Sequence, residues 1–425
     1  MTSRKNLLVV SDVSVSGMPS TGGSTRSTKS IIEYSKYYDV DLIIPRVTEW
    51  SRTKLEEVKS TLNIRKILQF SIKGKPVNML HERFSSLLYV CSPEKIHKLF
   101  VRLEQPDKVP SAIIVLNEPA SHIYVGNILT EKFEAPSMLM LQLPVFYQRR
   151  ERREQIARAP IIWYRNLNGD SFLNEISRRV FGMLDLEYSH SKKFKNTLKK
   201  YDPLVSVSKS IPLEMGDEWA EKIHALNPGV SFDQEDLELI NSIKSSTRVK
   251  KNHVIFGGRP DALKGLIEGL YAFKKISRAR TDVKLIITGH ISDKIRRRVE
   301  RLLHRLGISE KVVLTGSISW AERLRAVAEA KLMIYPSHVD AFPYTVLESL
   351  YLGTPIVAYD IPALRIYYGD NPDVRLVEKG DLEALITDSV EVLESKLVNI
   401  SPPTLRPWSD IIHEELSLVG KLVGG

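Results

Sequence analysis

Apolar runs of four to six residues recur along the chain, separated by longer stretches whose apolar positions fall at helical spacing. Residues 5–12 (KNLLVVSD), 41–44, 112–116, 138–143 and 204–209 each read as a buried strand, with a further strand near 67–70. Two or three helices are expected between residues 50 and 110. The strand pattern restarts at 254–256 and continues through 283–289, 312–316, 332–335 and 354–359. Apolar strands alternating with amphipathic helices are the mark of parallel sheets covered on both faces. Leu263, Leu266, Leu270 and Phe273 share one helix face, and Val346, Leu347, Leu350 and Tyr351 share another. Trp408, Ile411, Ile412, Leu416, Val419 and Leu422 form the last stripe. Asn227-Pro228-Gly229 is a turn signal between the two sets of strands. The expectation is an α/β chain of two doubly wound, Rossmann-like domains. Residues 1–226 form the first, residues 227–407 the second, and a helix over 408–425 completes the first.

Composition narrows the class. The 425 residues are 43% hydrophobic and 26% charged, which is ordinary for a globular protein with two cores. A single cysteine, Cys91, excludes an internal disulfide framework and favours a reducing compartment. The apolar run at the N-terminus is too short for a signal peptide, and no run reaches the ~18 apolar residues of a membrane span. A cytoplasmic protein is expected. The 61 basic and 51 acidic residues leave a net charge of +10, which suits an anionic partner. Basic runs at 148–153, 192–200 and 294–301 read first as solvated helix faces. The first two, with Phe146, Tyr147 and Ile156, also suggest a patch for an anionic membrane surface, and hence a peripheral membrane protein.

The candidate chemistry sits at strand ends. In residues 332–360 an apolar run meets Pro336-Ser337, Asp340 precedes a helix that begins about Pro343, and Glu348 lies about two turns in. A helix mouth at the carboxyl end of a parallel strand is where such sheets bind anionic or hydroxyl-rich ligands. After the 254–256 strand come Gly257-Gly258-Arg259 and then Lys264-Gly265, two cations at a strand-to-helix loop, as a diphosphate requires. Gly22 and Gly23 lie in the loop after the first strand, where backbone can approach a ligand closely. Residues 23–30 (GSTRSTKS) imitate a P-loop, but Thr28 stands where that motif needs glycine. Asp39-Val40-Asp41 imitates a metal-binding D-x-D and reads as capping or solvated. Asn117, Glu118, His122 and Gln142 fall at or past strand ends and are candidate binding residues for a second ligand.

Taken together these motifs resemble the retaining glycosyltransferases of the GT-B fold, glycosyltransferase family 4 (glycosyl transferases group 1). That family carries Pro-Ser, then Glu-Gly-Phe-Gly, a Glu in Leu-Glu-Ala, and Gly-x-Pro-Val-Val-Ala. Here Pro336-Ser337, Asp340-Ala341-Phe342-Pro343, Leu347-Glu348-Ser349 and Gly353-Thr354-Pro355-Ile356-Val357-Ala358 fall in step. Gly258-Arg259, four residues, then Lys264-Gly265 matches the family's Gly-Arg…Lys-Gly spacing, and 223–233 resembles its interdomain linker. Two departures stand out: Asp340 replaces the first Glu, and Ala341 and Pro343 replace glycines, Pro343 removing a backbone N–H.

The resemblance implies two domains facing each other across a cleft, with the last helix crossing back to the first. It implies transfer of a sugar from a nucleotide diphosphate sugar to an acceptor hydroxyl of a glycan, lipid-linked or glycolipid precursor (EC 2.4, hexosyltransferase type). The anomeric configuration is retained and neither metal nor cofactor is needed. Arg259 and Lys264 would hold the diphosphate, Asp340 the sugar hydroxyls and Glu348 the ribose. Gly22, Gly23 and Gly258 would line the donor phosphates. Backbone groups of Gly316, Ser317 and Ile318 would hold the base, and Ala341, Phe342, Pro343, Tyr344 and Thr345 would complete the donor pocket. Nucleic acid is not an expected partner. A nucleotide-sugar 2-epimerase, a phosphorylase, or a non-catalytic membrane- or nucleic-acid-binding protein on the same scaffold are the alternatives.

Overall fold

The computed structural model describes residues 4–14, 22–45, 51–68, 105–168, 176, 180, 183–184, 187–228, 232–247, 249–395, 400, 402–404 and 406–424. Cys91, the Gln69–Phe70 end of one expected strand and most of the helices expected over 50–110 lie outside them. The chain divides into two compact units. One comprises Met1–Arg149, Phe181–Ser231 and Arg406–Gly425, the other Arg150–Val180 and Phe232–Leu405.

In the first unit seven parallel strands stand in the order β3-β2-β1-β4-β5-β6-β7. They are β1 (Asn6–Val10), β2 (Asp39–Ile43), β3 (Lys66–Leu68), β4 (Ala112–Val115), β5 (Ser137–Leu141), β6 (Leu204–Ser206) and β7 (Ile223–Ala225). Helices α1 (Gly22–Tyr37), α2 (Arg52–Leu62) and α3 (Ala120–Phe133) follow β1, β2 and β4. All five residues of β1 and of β5 are buried, as continuous apolar strands in a covered sheet must be.

Asp41 is a correction to the sequence reading. Its side chain is fully buried in β2, where Arg65 Nε donates to Oδ1 at 2.9 Å and Asn6 Nδ2 donates to Oδ2 at 3.4 Å. It neither caps nor faces solvent, because the strand centre leaves it no route out and a fixed guanidinium supplies its counter-charge. The P-loop imitation is wound into α1, so it forms no phosphate loop.

The second unit repeats the plan with the order β10-β9-β8-β11-β12-β13, all parallel. Its strands are β8 (Lys251–Phe256), β9 (Lys284–Thr288), β10 (Val312–Gly316), β11 (Ala330–Tyr335), β12 (Ile356–Tyr359) and β13 (Val374–Val377). Counted from β8, this is the 3-2-1-4-5-6 order of dinucleotide-binding sheets. The switch point therefore falls at the carboxyl ends of the paired strands β8 and β11.

The covering helices are α4 (Arg150–Asn168), α8 (Gln234–Ser246), α9 (Leu266–Ala279), α10 (Asp293–Leu306), α11 (Trp320–Glu329), α12 (Tyr344–Tyr351), α13 (Pro362–Tyr368) and α14 (Leu382–Glu394). Short helices α5 (Lys192–Leu198), α6 (Ser210–Met215) and α7 (Asp217–Ala220) belong to the first unit, as does the last helix, α15 (Trp408–Gly424).

Helix α4 corrects the expected domain boundary, which placed it in the first domain. It packs on the second unit, where Trp163 and Leu167 join a core with Leu270, Phe273 and Leu302. Arg305 donates to Asn166 O at 2.5 Å, and Tyr271 OH donates to Asn166 Oδ1 at 2.8 Å. Ile156, Ala159, Trp163 and Leu167 form a single buried stripe, and its Trp163–Leu167 end is what joins that core.

The membrane patch loses its apolar half to burial: Phe146, Tyr147 and Ile156 are 0%, 7% and 9% exposed. Phe146 packs edge-on against Trp219 at 5.5 Å. Among the described residues no helix is long and apolar enough to cross a membrane.

Helix α15 is tied to α1 by a buried cluster. Arg26 and Glu415 are 1% and 0% exposed and pair at 2.5 Å. Tyr34 OH donates to the other carboxylate oxygen, and Trp408 covers the guanidinium at 4.6 Å.

Candidate active site

Two glycines set the geometry where β8 leaves its sheet. Gly258 has φ +95°, and a Cβ there would press on the Lys264 side chain at 3.3 Å. Gly265 has φ +71°, and a Cβ there would lie 2.1 Å from Pro336 O. The start of α9 is thus jammed against the Pro336 turn at the end of β11. This close approach brings Lys264 to Asp340, with Nζ to Oδ2 at 2.5 Å. Lys264 Nζ also donates to Val339 O at 3.0 Å. Tyr335 OH donates to the same Asp340 oxygen, and Ala341 N–H donates to Oδ1 at 2.8 Å. Burial, reinforced by Asp340, pushes the Tyr335 phenol far above its usual range, so it stays a donor. Burial and then Asp340 do the same to Tyr368.

Arg259 stands apart from this cluster. Its side chain is 55% exposed, with Nε 3.5 Å from Asp261 Oδ2. Asp261 Oδ1 in turn accepts from the Lys264 backbone N–H at 2.9 Å, holding the loop. Lys264 has its donors turned inward to Asp340 and Val339. The guanidinium of Arg259 is therefore the cation with room for an incoming anion.

Glu348 forms a second cluster. It is 2% exposed, in the middle of α12. Trp320 Nε1 donates to Oε1 at 2.9 Å, Arg323 Nη2 donates to Oε1 at 2.7 Å, and Arg323 Nη1 donates to Oε2 at 2.5 Å. Burial alone would lower the Arg323 pKa, but the charge and hydrogen bonds of Glu348 raise it above its ordinary value. Trp320 and Arg323 escaped the sequence reading. Their signal was the Ser319…Glu322 capping box, which starts α11 and sets the two side chains three residues apart on one face. Gly316, Ser317 and Ile318 run directly into that box, Gly316 with φ +71°. Phe342 and Tyr344 meet edge-on at 5.8 Å, and Phe342 meets Tyr367 at 4.9 Å. Pro343 is the N-cap of α12 and makes no side-chain cap; Tyr344 and Thr345, both half-buried, open the helix.

In the first unit Gly22 and Gly23 begin α1 rather than a loop. A Cβ on Gly23 would touch Gln142 at 3.4 Å and Asn117 Nδ2 at 3.9 Å, so three expected residues do converge. Asn117 Oδ1 accepts from Ser11 Oγ and from Asp12 N–H, each at 2.9 Å, and Glu118 Oε2 accepts from Gln142 N–H at 3.0 Å. His122, fully buried, has Nε2 3.2 Å from Asp12 Oδ1 without the alignment of a hydrogen bond. Asp12 was not singled out from sequence, because an acid at a strand end has no distinguishing neighbour.

The two-sheet architecture is that of GT-B glycosyltransferase structures. The Anabaena protein Alr3699/HepE, solved with UDP and glucose, superposes with a TM-score of 0.61 at 14% identity, covering 98% of this chain and 100% of that one. WaaG, a glycosyltransferase involved in lipopolysaccharide biosynthesis, gives 0.58 at 13% identity, covering 99% and 100%. Within that fold, residues 240–401 match the family model described as glycosyl transferases group 1. Among curated proteins, the MMP alpha-(1->4)-mannosyltransferase of Mycolicibacterium hassiacum is 25% identical over 250 residues, which are 58% of this chain and 54% of that protein. The alpha-D-kanosaminyltransferase of Streptomyces kanamyceticus is 24% identical over 155 residues, 35% and 40% of the two. The matched stretches thus span about half or less of these relatives.

Proposed function

We propose that the chain is a glycosyltransferase that moves a sugar from a nucleotide diphosphate sugar to an acceptor hydroxyl, with retention and without a metal. The carrying observation is the second unit's switch point. There Gly258, Arg259 and Lys264 lie on the loop that leaves β8, with Lys264 paired to Asp340, all within the stretch that matches the group 1 model. Departure of a nucleoside diphosphate develops charge on the β-phosphate, and fixed positive groups aimed at that charge supply the dominant stabilisation. Arg259 fills this role directly. Lys264 fixes Asp340, whose remaining acceptor capacity serves the sugar hydroxyls. The 2.5 Å ion pair also offsets the negative charge Asp340 would otherwise present to a diphosphate. Glu348 serves the ribose, and backbone groups of 316–318 the base. In the first unit Asn117, Glu118, Gln142 and His122, with Asp12 beside it, are the acceptor-side candidates, and Gly22 and Gly23 the donor-side ones. The reading includes a route in which the donor phosphate takes the acceptor's proton.

The test is incubation with UDP-, GDP- and ADP-sugars, reading slow release of the nucleoside diphosphate. Release from at least one donor is expected, and Arg259→Ala should lower that rate by about 100-fold or more, in the range seen when one transition-state donor is removed. No release from any donor, together with unchanged nucleotide affinity in Arg259→Ala, overturns the proposal.

A further inference from the structure

The basic runs of the chain meet different fates in the fold. In the run 192–200 the cations find partners. Lys199 pairs with Glu218 at 2.9 Å, Lys200 with Glu131 at 2.6 Å, and Lys195 lies over the Phe146 ring at 4.9 Å. Helix α10 keeps its charge instead. It carries six arginines and lysines against two acids, a net +4 of the chain's +10. Val299, Leu302, Leu303 and Leu306 bury one side of it in the core of the second unit. Lys294, Arg297, Arg298, Arg301 and Arg305 recur at helical spacing along the other side, and all but Arg298 are exposed. Arg296 takes up Glu300, at 3.0 Å. Lys294, Arg297 and Arg301 have no carboxylate partner among the described residues; Arg301 Nε donates to the backbone oxygen of Arg297, at 3.4 Å.

The face continues beyond α10. Arg305 donates to Asn166 O on α4, and Tyr271 OH on α9 donates to Asn166 Oδ1, so three helices meet at one residue. Arg165 beside it, and Arg158 two turns earlier, are exposed on α4, and Tyr271 is 37% exposed. Because α4, α9 and α10 pack against one another, they present a broad surface rather than one projecting element. Like charges held side by side repel, and a plane of negative charge turns that repulsion into attraction. An amphipathic tyrosine among the cations suits the boundary between headgroups and acyl chains.

We infer that this face of α4, α9 and α10 docks on an anionic lipid bilayer, engaged chiefly through Arg297, Arg301 and Arg305. The inference goes beyond sugar transfer and does not rest on it.

The test is sedimentation with vesicles of phosphatidylcholine alone and of phosphatidylcholine with about a third phosphatidylserine. The wild-type protein should pellet with the anionic vesicles at about 0.1 M salt, leave them at about 0.5 M, and ignore the neutral ones. Arg297→Gln with Arg301→Gln should weaken binding about 30-fold, about fivefold for each charge lost. Lys199→Gln with Lys200→Gln removes as much charge from the first unit and should stay within about threefold of the wild type. Arg297→Lys with Arg301→Lys keeps the charge and should bind within about twofold. No pelleting at low salt, equal losses in the two glutamine pairs, or a lysine pair as weak as its glutamine counterpart overturns the inference. A short DNA duplex bound more tightly than the vesicles, with the same loss in the Arg297, Arg301 glutamine pair, assigns the face to nucleic acid and overturns it too.

Discussion

Replacing Glu415 by alanine tests how the first unit holds α1, the helix that begins with Gly22 and Gly23. The carboxylate is fully buried and takes donors from Arg26 and Tyr34, which are 1% and 0% exposed. Arg26 also donates to Ser30 Oγ, which keeps its guanidinium in place when the partner is gone. Breaking one side of a buried pair leaves an uncompensated charge and costs about 3–5 kcal/mol. The Tyr34 hydroxyl loses its acceptor as well, and burial followed by Glu415 already holds that phenol far above its usual pKa, so it cannot ionise to escape. The expected loss is about 4 kcal/mol, against a total of about 5–15 kcal/mol for a typical domain. With a urea slope of about 2 kcal/mol/M, the midpoint should fall by about 2 M. Trp408, whose ring lies 4.6 Å from the guanidinium carbon, is a fluorescence probe built into the cluster. The triple change Arg26→Met, Tyr34→Phe, Glu415→Leu removes both charges and the phenol hydroxyl at once, leaving Ser30 Oγ its bond to Arg26 O, and should recover most of the loss. A loss below about 1 kcal/mol for Glu415→Ala, or a triple variant as unstable as the single one, would refute the reasoning.

Two further outcomes are expected. Gly265→Ala places a Cβ 2.1 Å from Pro336 O at φ +71°, so it should cost about 2 kcal/mol or more and displace Lys264 from Asp340. Unchanged thermal stability, with donor cleavage intact, would show that the turn has slack. Lys250 donates to Thr354 Oγ1 at 2.5 Å, and burial, then Lys244, lowers its pKa to about 8. The folded state then binds fewer protons than the unfolded one between about pH 8 and the ordinary lysine range near 10.5. Stability should therefore rise with pH through that window, by up to about 3 kcal/mol. Subtracting a Lys250→Met urea series isolates this effect, and parallel curves would disprove it.

The motifs at 258–265 and 336–358 were legible because turn chemistry and helix starts are local properties. A glycine, a proline or a capping residue declares its conformation wherever the chain goes. Five of the second unit's six strands were legible for a related reason: each carries a run of three or more apolar residues, whereas β13 is broken by Arg375 and was missed. What escaped were pairings made over long separations. The stripe Ile156, Ala159, Trp163 and Leu167 announces a buried helix face but not which sheet it covers. Asp41 reads as solvated until Arg65, in the bend just before β3, is brought beside it. Glu348 reads as a free carboxylate until α11 delivers Trp320 and Arg323. In each case the missing information was a partner, not a propensity.

The docking of α4 bears on how this protein can be taken apart. The main chain passes between the units at four places, near residues 149, 180, 231 and 405. A fragment beginning at Phe232 would lack Trp163 and Leu167 and uncover apolar surface on Leu270, Phe273 and Leu302. Such a fragment invites aggregation, however complete its sheet. A ribosome, likewise, must wait for the second sheet to emerge before α4 finds its seat, so the segment made early is finished late.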